Sequence, residues 1–281
     1  MTQFLHPNLR NGLVGAWCPS IDRSRSTLVT DLSGYANHGL MTNMDAATDW
    51  VARDSYSAID LDGTDDYVNV SRAEITTFPL TLSAWIYTLV TNVDAVGVSV
   101  GDSGNVNNYA MVGLDSSARF ICKARGASLQ TLTAGAYSAY RWNHVAATFD
   151  LDKNEQILYG NGIRISSGTV PTTNSWNTIY IGRIVSIALY GRGIVDDCLI
   201  YNRILTRSDI AALALRHGIV HETQRIRRVK SASGAPVVVT PTTLAMTLTA
   251  YAPTVSIPQT VTPSTLALTL STFAPTVFTP V

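Results

Sequence analysis

The chain is poor in charge, in glutamate and in cysteine, and each scarcity removes a class of protein. Charged residues make up 14% of its 281 residues, against about a quarter in an ordinary soluble domain. The 20 basic and 20 acidic residues cancel, so no global field draws the chain to nucleic acid or to an anionic membrane. Cys18, Cys122 and Cys198 are three in number and widely spaced. That excludes a disulfide framework and a cysteine zinc site, and leaves the expectation of buried free thiols. No run of 18 apolar residues occurs, so no membrane-inserted segment is expected. The opening MTQFLHPNLRNG has no basic stretch leading into an apolar one, so no secretory signal is read there. The corresponding expectation is a protein released by lysis or carried in an assembly.

Gly, Thr, Ser and Asn fill the places that charges leave, the make-up of a turn-rich β protein. The densest carboxylate cluster, Asp62, Asp65 and Asp66, sits inside AIDLDGTDDYVNV, residues 58–70. Ile59 and Leu61 alternate with polar neighbours, Asp62-Gly63 turns, and Tyr67, Val68 and Val70 resume an extended run, so the stretch reads as a hairpin. LTLSAWIY, residues 80–87, puts Leu80, Leu82, Ala84 and Ile86 on one face and Thr81, Ser83, Trp85 and Tyr87 on the other. Residues 43–51 read as a polar loop. Strand segments 156–159 and 162–166 flank Gly160-Asn161, a hairpin turn of the Asn-Gly kind. About a dozen such strands, with turns every 8–12 residues, predict an all-β, two-sheet antiparallel sandwich. One helix is predicted from Thr206, where Thr206 and Asp209 resemble a capping box before the stripe of Ile210, Leu213 and Ala214.

The organisation predicted is a lead-in over 1–10, the sandwich over 11–215, a basic and flexible linker over 216–238, and a repeat tail over 239–281. In the tail VTPTTLAMTLTAYAPTV aligns with VTPSTLALTLSTFAPTV at a constant offset. Leu244, Met246, Leu248 and Tyr251 recur as Leu266, Leu268, Leu270 and Phe273. Each unit reads as a short strand with one apolar edge, which needs a mate. These residues are therefore the expected assembly surface, for copies of the chain or other proteins of a particle. A disordered Thr/Pro-rich stalk is the alternative.

Four segments, GLVGAW with DLSGYANHG, LDGTDDYV, LSAWIY with RWNHVAATFD, and GIVDDCLIYNRILTRSDIAAL, resemble the laminin-G-like, concanavalin A-like lectin/glucanase group in its pentraxin-related form. The resemblance covers roughly residues 13–215 and implies a two-sheet jelly roll with its closing strand before a short helix. It leaves function open, because that sandwich hosts lectins, adhesion modules and hydrolases. HPNLRNGLVGAW, HGLMTNMDAATDWV and the tail repeats further resemble lectin-like proteins among phage structural genes, which implies a virion location, with an extracellular one as the alternative. The hydrolases of this fold resemble one another in a Glu-x-Asp-x-x-Glu strand. Glu74, Glu155 and Glu222 are the only glutamates and do not form it, so no enzyme activity is expected and no catalytic residue is assigned.

The resulting expectation is a non-enzymatic virion decoration or appendage protein whose lectin-like domain binds surface glycans or stabilises a shell. A secreted bacterial adhesion module and a glycoside hydrolase are the alternatives. Asp62, Asp65 and Asp66, joined by Asp31 or Asp197 from another strand end, offer oxygen ligands to calcium. They serve equally as turn caps that bind their own backbone. Asp196 and Asp197, adjacent on a strand, are expected to face opposite sides. Trp50 and Trp176 in loops can stack on a sugar or cover the sandwich edge. Asn107, Asn108 and Tyr109, with Asn105, form a polar loop able to meet glycan hydroxyls. Trp17, Trp85 and Trp142 are expected in the core, and His38 and His144 as structural histidines. His217 and His221 form an i, i+4 pair on a weak helix.

Overall fold

A computed structural model describes residues 9–22, 24–54, 56–71, 77–173, 175–185, 189–215 and 217. His221 and the tail residues Leu244, Met246, Leu248, Tyr251, Leu266, Leu268, Leu270 and Phe273 lie outside the described residues.

Among the described residues the chain forms sixteen strands and one helix. The strands are β1 Leu13–Trp17, β2 Leu28–Val29, β3 Gly39–Thr42, β4 Trp50–Arg53, β5 Tyr56–Asp62, β6 Tyr67–Val70, β7 Leu80–Tyr87 and β8 Ala95–Gly101. They continue with β9 Tyr109–Leu114, β10 Arg119–Arg125, β11 Leu129–Ala136, β12 Trp142–Asp150, β13 Glu155–Gly160, β14 Ile163–Gly168, β15 Thr178–Ile181 and β16 Arg192–Tyr201. The helix, α1, is Arg207–Ala214. One sheet runs β14-β13-β12-β7-β16-β5-β4, with β1 also on β16. The other runs β11-β10-β9-β8-β15-β6-β3-β2. All pairings are antiparallel, and the two layers make the expected jelly-roll sandwich.

The alternation in residues 80–87 places the core as read. Leu80, Leu82, Ala84 and Ile86 face inward, against Val98 and Val100 of β8 and Val112 of β9. Burying side chains of this size contributes about 1.5–3 kcal/mol each. The outer face of the first sheet is not left to water. Ile210 and Leu213 of α1 pack there with Leu13, Tyr159, Leu199 and Tyr201. The helix starts where predicted: Thr206 Oγ1 accepts the Asp209 amide at 3.2 Å and Asp209 Oδ2 accepts the Thr206 amide at 3.1 Å. The β13–β14 hairpin also forms, one residue later than read. Gly160 pairs with Ile163, and Asn161 (φ 49°) and Gly162 (φ 81°) make the turn, the two positive φ values of a type I′ loop. All three cysteines are free and buried.

Two readings are corrected, and one strand was not foreseen. The stretch 58–70 is not a hairpin: β5 pairs with β4 and β16, β6 pairs with β3 and β15, and the two belong to different sheets. Ile59 and Leu61 enter the core from one layer and Val68 and Val70 from the other, so the turn is an arch between layers. Residues 50–53 form an edge strand instead of ending a loop. A strand also forms at 129–136, where the sequence shows no two-sided apolar alternation and most side chains remain outside the core.

His144 on β12 sets a pH limit on this fold. Its ring is fully buried, with Nε2 2.9 Å from Ser83 Oγ, and burial pushes its pKa down to about 3. The folded state therefore keeps it neutral, while the unfolded chain takes up a proton below the ordinary value near 6.5. The contribution is complete above pH 6.5 and is lost as pH falls toward 3, at about 1.4 kcal/mol per pH unit. Urea unfolding at pH 7 and pH 5 should show lower stability at pH 5, and His144→Gln should flatten that slope. An unchanged slope would assign the acid sensitivity elsewhere.

Candidate functional site

At one end of the sandwich the β5–β6 arch, the β7–β8 crossover and the start of β16 enclose a cleft of ≈ 260 Å³. Its polar lining is Asp49, Asp60, Asp62, Asp66, Thr88 and Arg192, and Leu89, Val90 and Val93 give it an apolar wall. The sheet register fixes the pieces: Arg192 pairs with Asp62, Gly193 with Leu61 and Ile194 with Tyr87. Gly63 (φ 81°) lets the arch pass Arg192, since a Cβ there would lie 2.7 Å from the Arg192 Cβ. Leu89 and Val90 are 48% and 40% exposed, an unusual display for aliphatic side chains beside a polar cleft. The amide of Tyr140, itself 66% exposed, bonds Thr88 O at 2.8 Å, which adds an aromatic ring near this rim.

The acids of the arch divide by environment. Asp62 Oδ1 accepts the amides of Thr64 at 2.7 Å and Asp65 at 3.4 Å, and the Thr64 amide above all holds its pKa below the ordinary carboxylate range. Asp66 Oδ2 accepts the Asp62 amide at 3.1 Å; burial first, then the charges of Asp62, Asp49 and Asp65, push it up. Burial raises Asp60 also, with Asp49 adding to the rise and Arg53 and Arg192 opposing it. Asp62, Asp65 and Asp66 bring ligand oxygens within 4.8 Å of one another. Their hydrogen bonds to the Thr64, Asp65 and Asp62 amides are those of a capped turn, and the oxygens left over suit a hard cation or sugar hydroxyls.

Asp197 does not join them. It belongs to a second group, Asp196, Asp197 and His217, on the outer face of the first sheet. The expectation that the two aspartates face opposite sides fails because β16 carries a bulge. Asp196 pairs with Trp85 and Leu199 with Ser83, one residue too many, and Asp197 takes φ 43°. Asp196 Oδ2 meets His217 Nε2 at 2.9 Å, while its Oδ1 accepts the amides of Ser20 and Asp197. The imidazole is stacked on Tyr56 (3.9 Å between centres) and Trp85 (4.6 Å), with Trp142 edge-on at 4.4 Å. Trp85 and Trp142 are thus partly exposed supports for His217 and not core residues; Trp17 is core. Burial pushes Asp196 up to about 7 and His217 down to about 4, so the pair holds one proton between those limits.

The predicted ligand residues are mostly structural. Trp50 is buried and donates its ring N–H to Ser26 O at 2.9 Å. Trp176 is buried, packs edge-on to Phe78 and donates to Asn108 Oδ1 at 3.0 Å. Asn108 in turn donates to Ser175 O. Tyr109 is buried on β9. Loop tryptophans and a polar loop carry no sign in sequence of whether they turn inward, and here the N–H groups found buried partners. Asn107 remains exposed. Asp31 is also structural, accepting the amides of Ala16, Ser33 and Asn37. His38 accepts the Asp31 amide through Nδ1.

The family model for the concanavalin A-like lectin/glucanases superfamily matches residues 62–211, from the last residue of β5 into α1. The chain belongs to this superfamily. No curated protein matches it. Among solved structures, superfamily-like sandwiches align at low identity, which shows the fold alone. A structure of botulinum neurotoxin type C, whose cell entry depends on two ganglioside molecules, is 18% identical with TM-score 0.56, covering 74% of this chain and 52% of that one. Domain 4 of AbnA, an extracellular arabinanase of Geobacillus stearothermophilus in complex with arabinotriose, is 16% identical with TM-score 0.55, covering 72% and 98%. Trypanosoma rangeli sialidase in complex with sialic acid is 18% identical with TM-score 0.54, covering 73% and 33%. The chain therefore spans about half of the neurotoxin structure and a third of the sialidase.

The proton arrangement on the outer face is testable by NMR. His217 should stay neutral through pH 5, titrating near 4, and Asp196→Asn should leave the His217 ring in its aromatic slot with an altered titration. A His217 midpoint near 6.5 in the unaltered protein would show that the ring is solvated and the slot open.

Proposed function

We propose that this chain is a non-catalytic carbohydrate-recognition module that uses the rim cleft. The observation that carries the reading is the cleft's make-up. Carboxylates and a guanidinium able to bond sugar hydroxyls face an exposed aliphatic wall able to cover the apolar side of a pyranose. The volume is small beside roughly 300–1,000 Å³ for drug-sized ligands, which suits one sugar residue of a longer chain. Ganglioside, arabinotriose and sialic acid in the structural neighbours support a saccharide over other ligands. Non-catalytic action is supported by the missing Glu-x-Asp-x-x-Glu strand. The capped turn of Asp62 and Asp66 supports recognition without calcium. The phage-like opening and tail repeats support a virion setting, with residues 239–281 docking on particle proteins or on copies of the chain.

A glycan array probed with the full chain, in calcium and in EDTA, tests this directly. Binding to a neutral oligosaccharide is expected in both buffers. Asp60→Asn and Arg192→Gln should each weaken it about tenfold or more, the scale of one charge-assisted hydrogen bond. No reducing sugar should be released from the bound glycan. Absence of binding in both buffers would remove the lectin role and leave only a structural one; sugar release would overturn the non-catalytic reading.

A further inference from the structure

On the far side of the arch, the outer face of the second sheet carries a cation that the cleft does not use. Arg183 follows β15, and its guanidinium carbon lies 5.0, 5.1 and 4.9 Å from the ring centres of Tyr67, Tyr180 and Tyr190. The sheet sets two of these rings. Tyr67 on β6 and Tyr180 on β15 belong to paired strands, and both point outward because Val68 and Ile181, their immediate neighbours, point into the core. The two rings meet edge-on, 5.1 Å apart at 66°. Tyr190 returns to the group through a bridge with Arg183.

The backbone that presents Arg183 is firmly held. Ser99 Oγ donates to Arg183 O at 2.7 Å and accepts the Val185 amide at 3.2 Å. Ile184 and Val185 are buried among Val96, Tyr109, Met111 and Ile121. The charge, by contrast, has no counter-ion among the described residues. Residues 186–188, Ser-Ile-Ala, contain no acid. Its Nε is buried without a hydrogen-bond partner. Three aromatic faces attract a guanidinium but take none of its in-plane N–H bonds. The fork is thus pre-positioned and unspent, beside three half-buried tyrosines.

We propose that Arg183, Tyr67, Tyr180 and Tyr190 form a second saccharide site, selective for a sugar that bears a carboxylate, as uronates and sialates do. The guanidinium pairs the carboxylate through two parallel N–H···O bonds, and the tyrosines take the ring. The rim cleft, lined by Asp49, Asp60, Asp62 and Asp66, repels such a group. The two flanks of one arch therefore sort saccharides by charge. The inference takes its ligand class from the carbohydrate reading, but its site shares no residue with the cleft.

Calorimetry of the full chain with trigalacturonate and with neutral galactotriose at low salt tests it. Wild type should bind trigalacturonate at least tenfold tighter. Arg183→Gln should erase the preference, and Arg183→Lys should lose several-fold, because an ammonium keeps the charge without the fork. Phenylglyoxal labelling of unaltered protein covers the case in which a variant does not fold: trigalacturonate, and not galactotriose, should protect Arg183. Equal affinity for the two trisaccharides, no binding of trigalacturonate, or an unprotected Arg183 would overturn the proposal. Failure of the cleft reading has a different signature, loss of neutral-sugar binding with the acidic preference intact.

Discussion

Between Asp62 and Tyr67 the chain must leave one layer of the sandwich and join the other within residues 63–66. Stacked sheets lie about 10 Å apart, and this short segment has to turn and cross that gap at the end of the core. Everything at the rim follows from that demand. Gly63 supplies the positive φ and the close pass by Arg192. The carboxylates of Asp62 and Asp66 take up the amides that neither sheet can pair. The acids are dense here because the crossing leaves donors without strand partners, and that density is what gives the cleft its polar character. The same crossing delivers Tyr67 to the opposite flank, beside Arg183.

The outer face of the first sheet follows a different logic. A bulge at Asp197 brings two carboxylates to one side, and the segment after α1 returns His217 into a slot of Tyr56, Trp85 and Trp142. Burial raises one partner and lowers the other, so the pair stays singly protonated from about pH 4 to 6.5. The unfolded chain, with aspartate ionised and histidine charged, also holds one proton over that window.

What could be read from sequence was what depends on periodicity and local chemistry. The two-residue alternation of 80–87, the Thr206–Asp209 capping box and the turn around Asn161 each encode their structure within a few residues, and each formed. The choice of strand partner for β5 and β6 was not local. A tight turn between two alternating runs satisfies a hairpin and an arch equally well, and only the competing pairing with β16 and β15 decides. The bulge at Asp197 was hidden for the same reason, since its extra residue exists only relative to β7. Trp50, Trp176 and Asn108 were misplaced because an indole N–H or an amide finds a buried partner through tertiary contact alone. The Arg183 group left a signal, a lone arginine among tyrosines spaced along two strands, but its meaning needs the register that pairs Tyr180 with Asn69 and so sets Tyr67, two residues before Asn69, on the same face.

Residues 63–66 bridge the layers, and backbone NOEs across strands of the deuterated protein test that bridge. Cross-strand contacts are expected between Leu61 and Gly193 and between Val68 and Ile181, with none joining the backbones of β5 and β6. A ladder of contacts pairing β5 with β6 would restore the hairpin and dismantle both flanks of the rim at once.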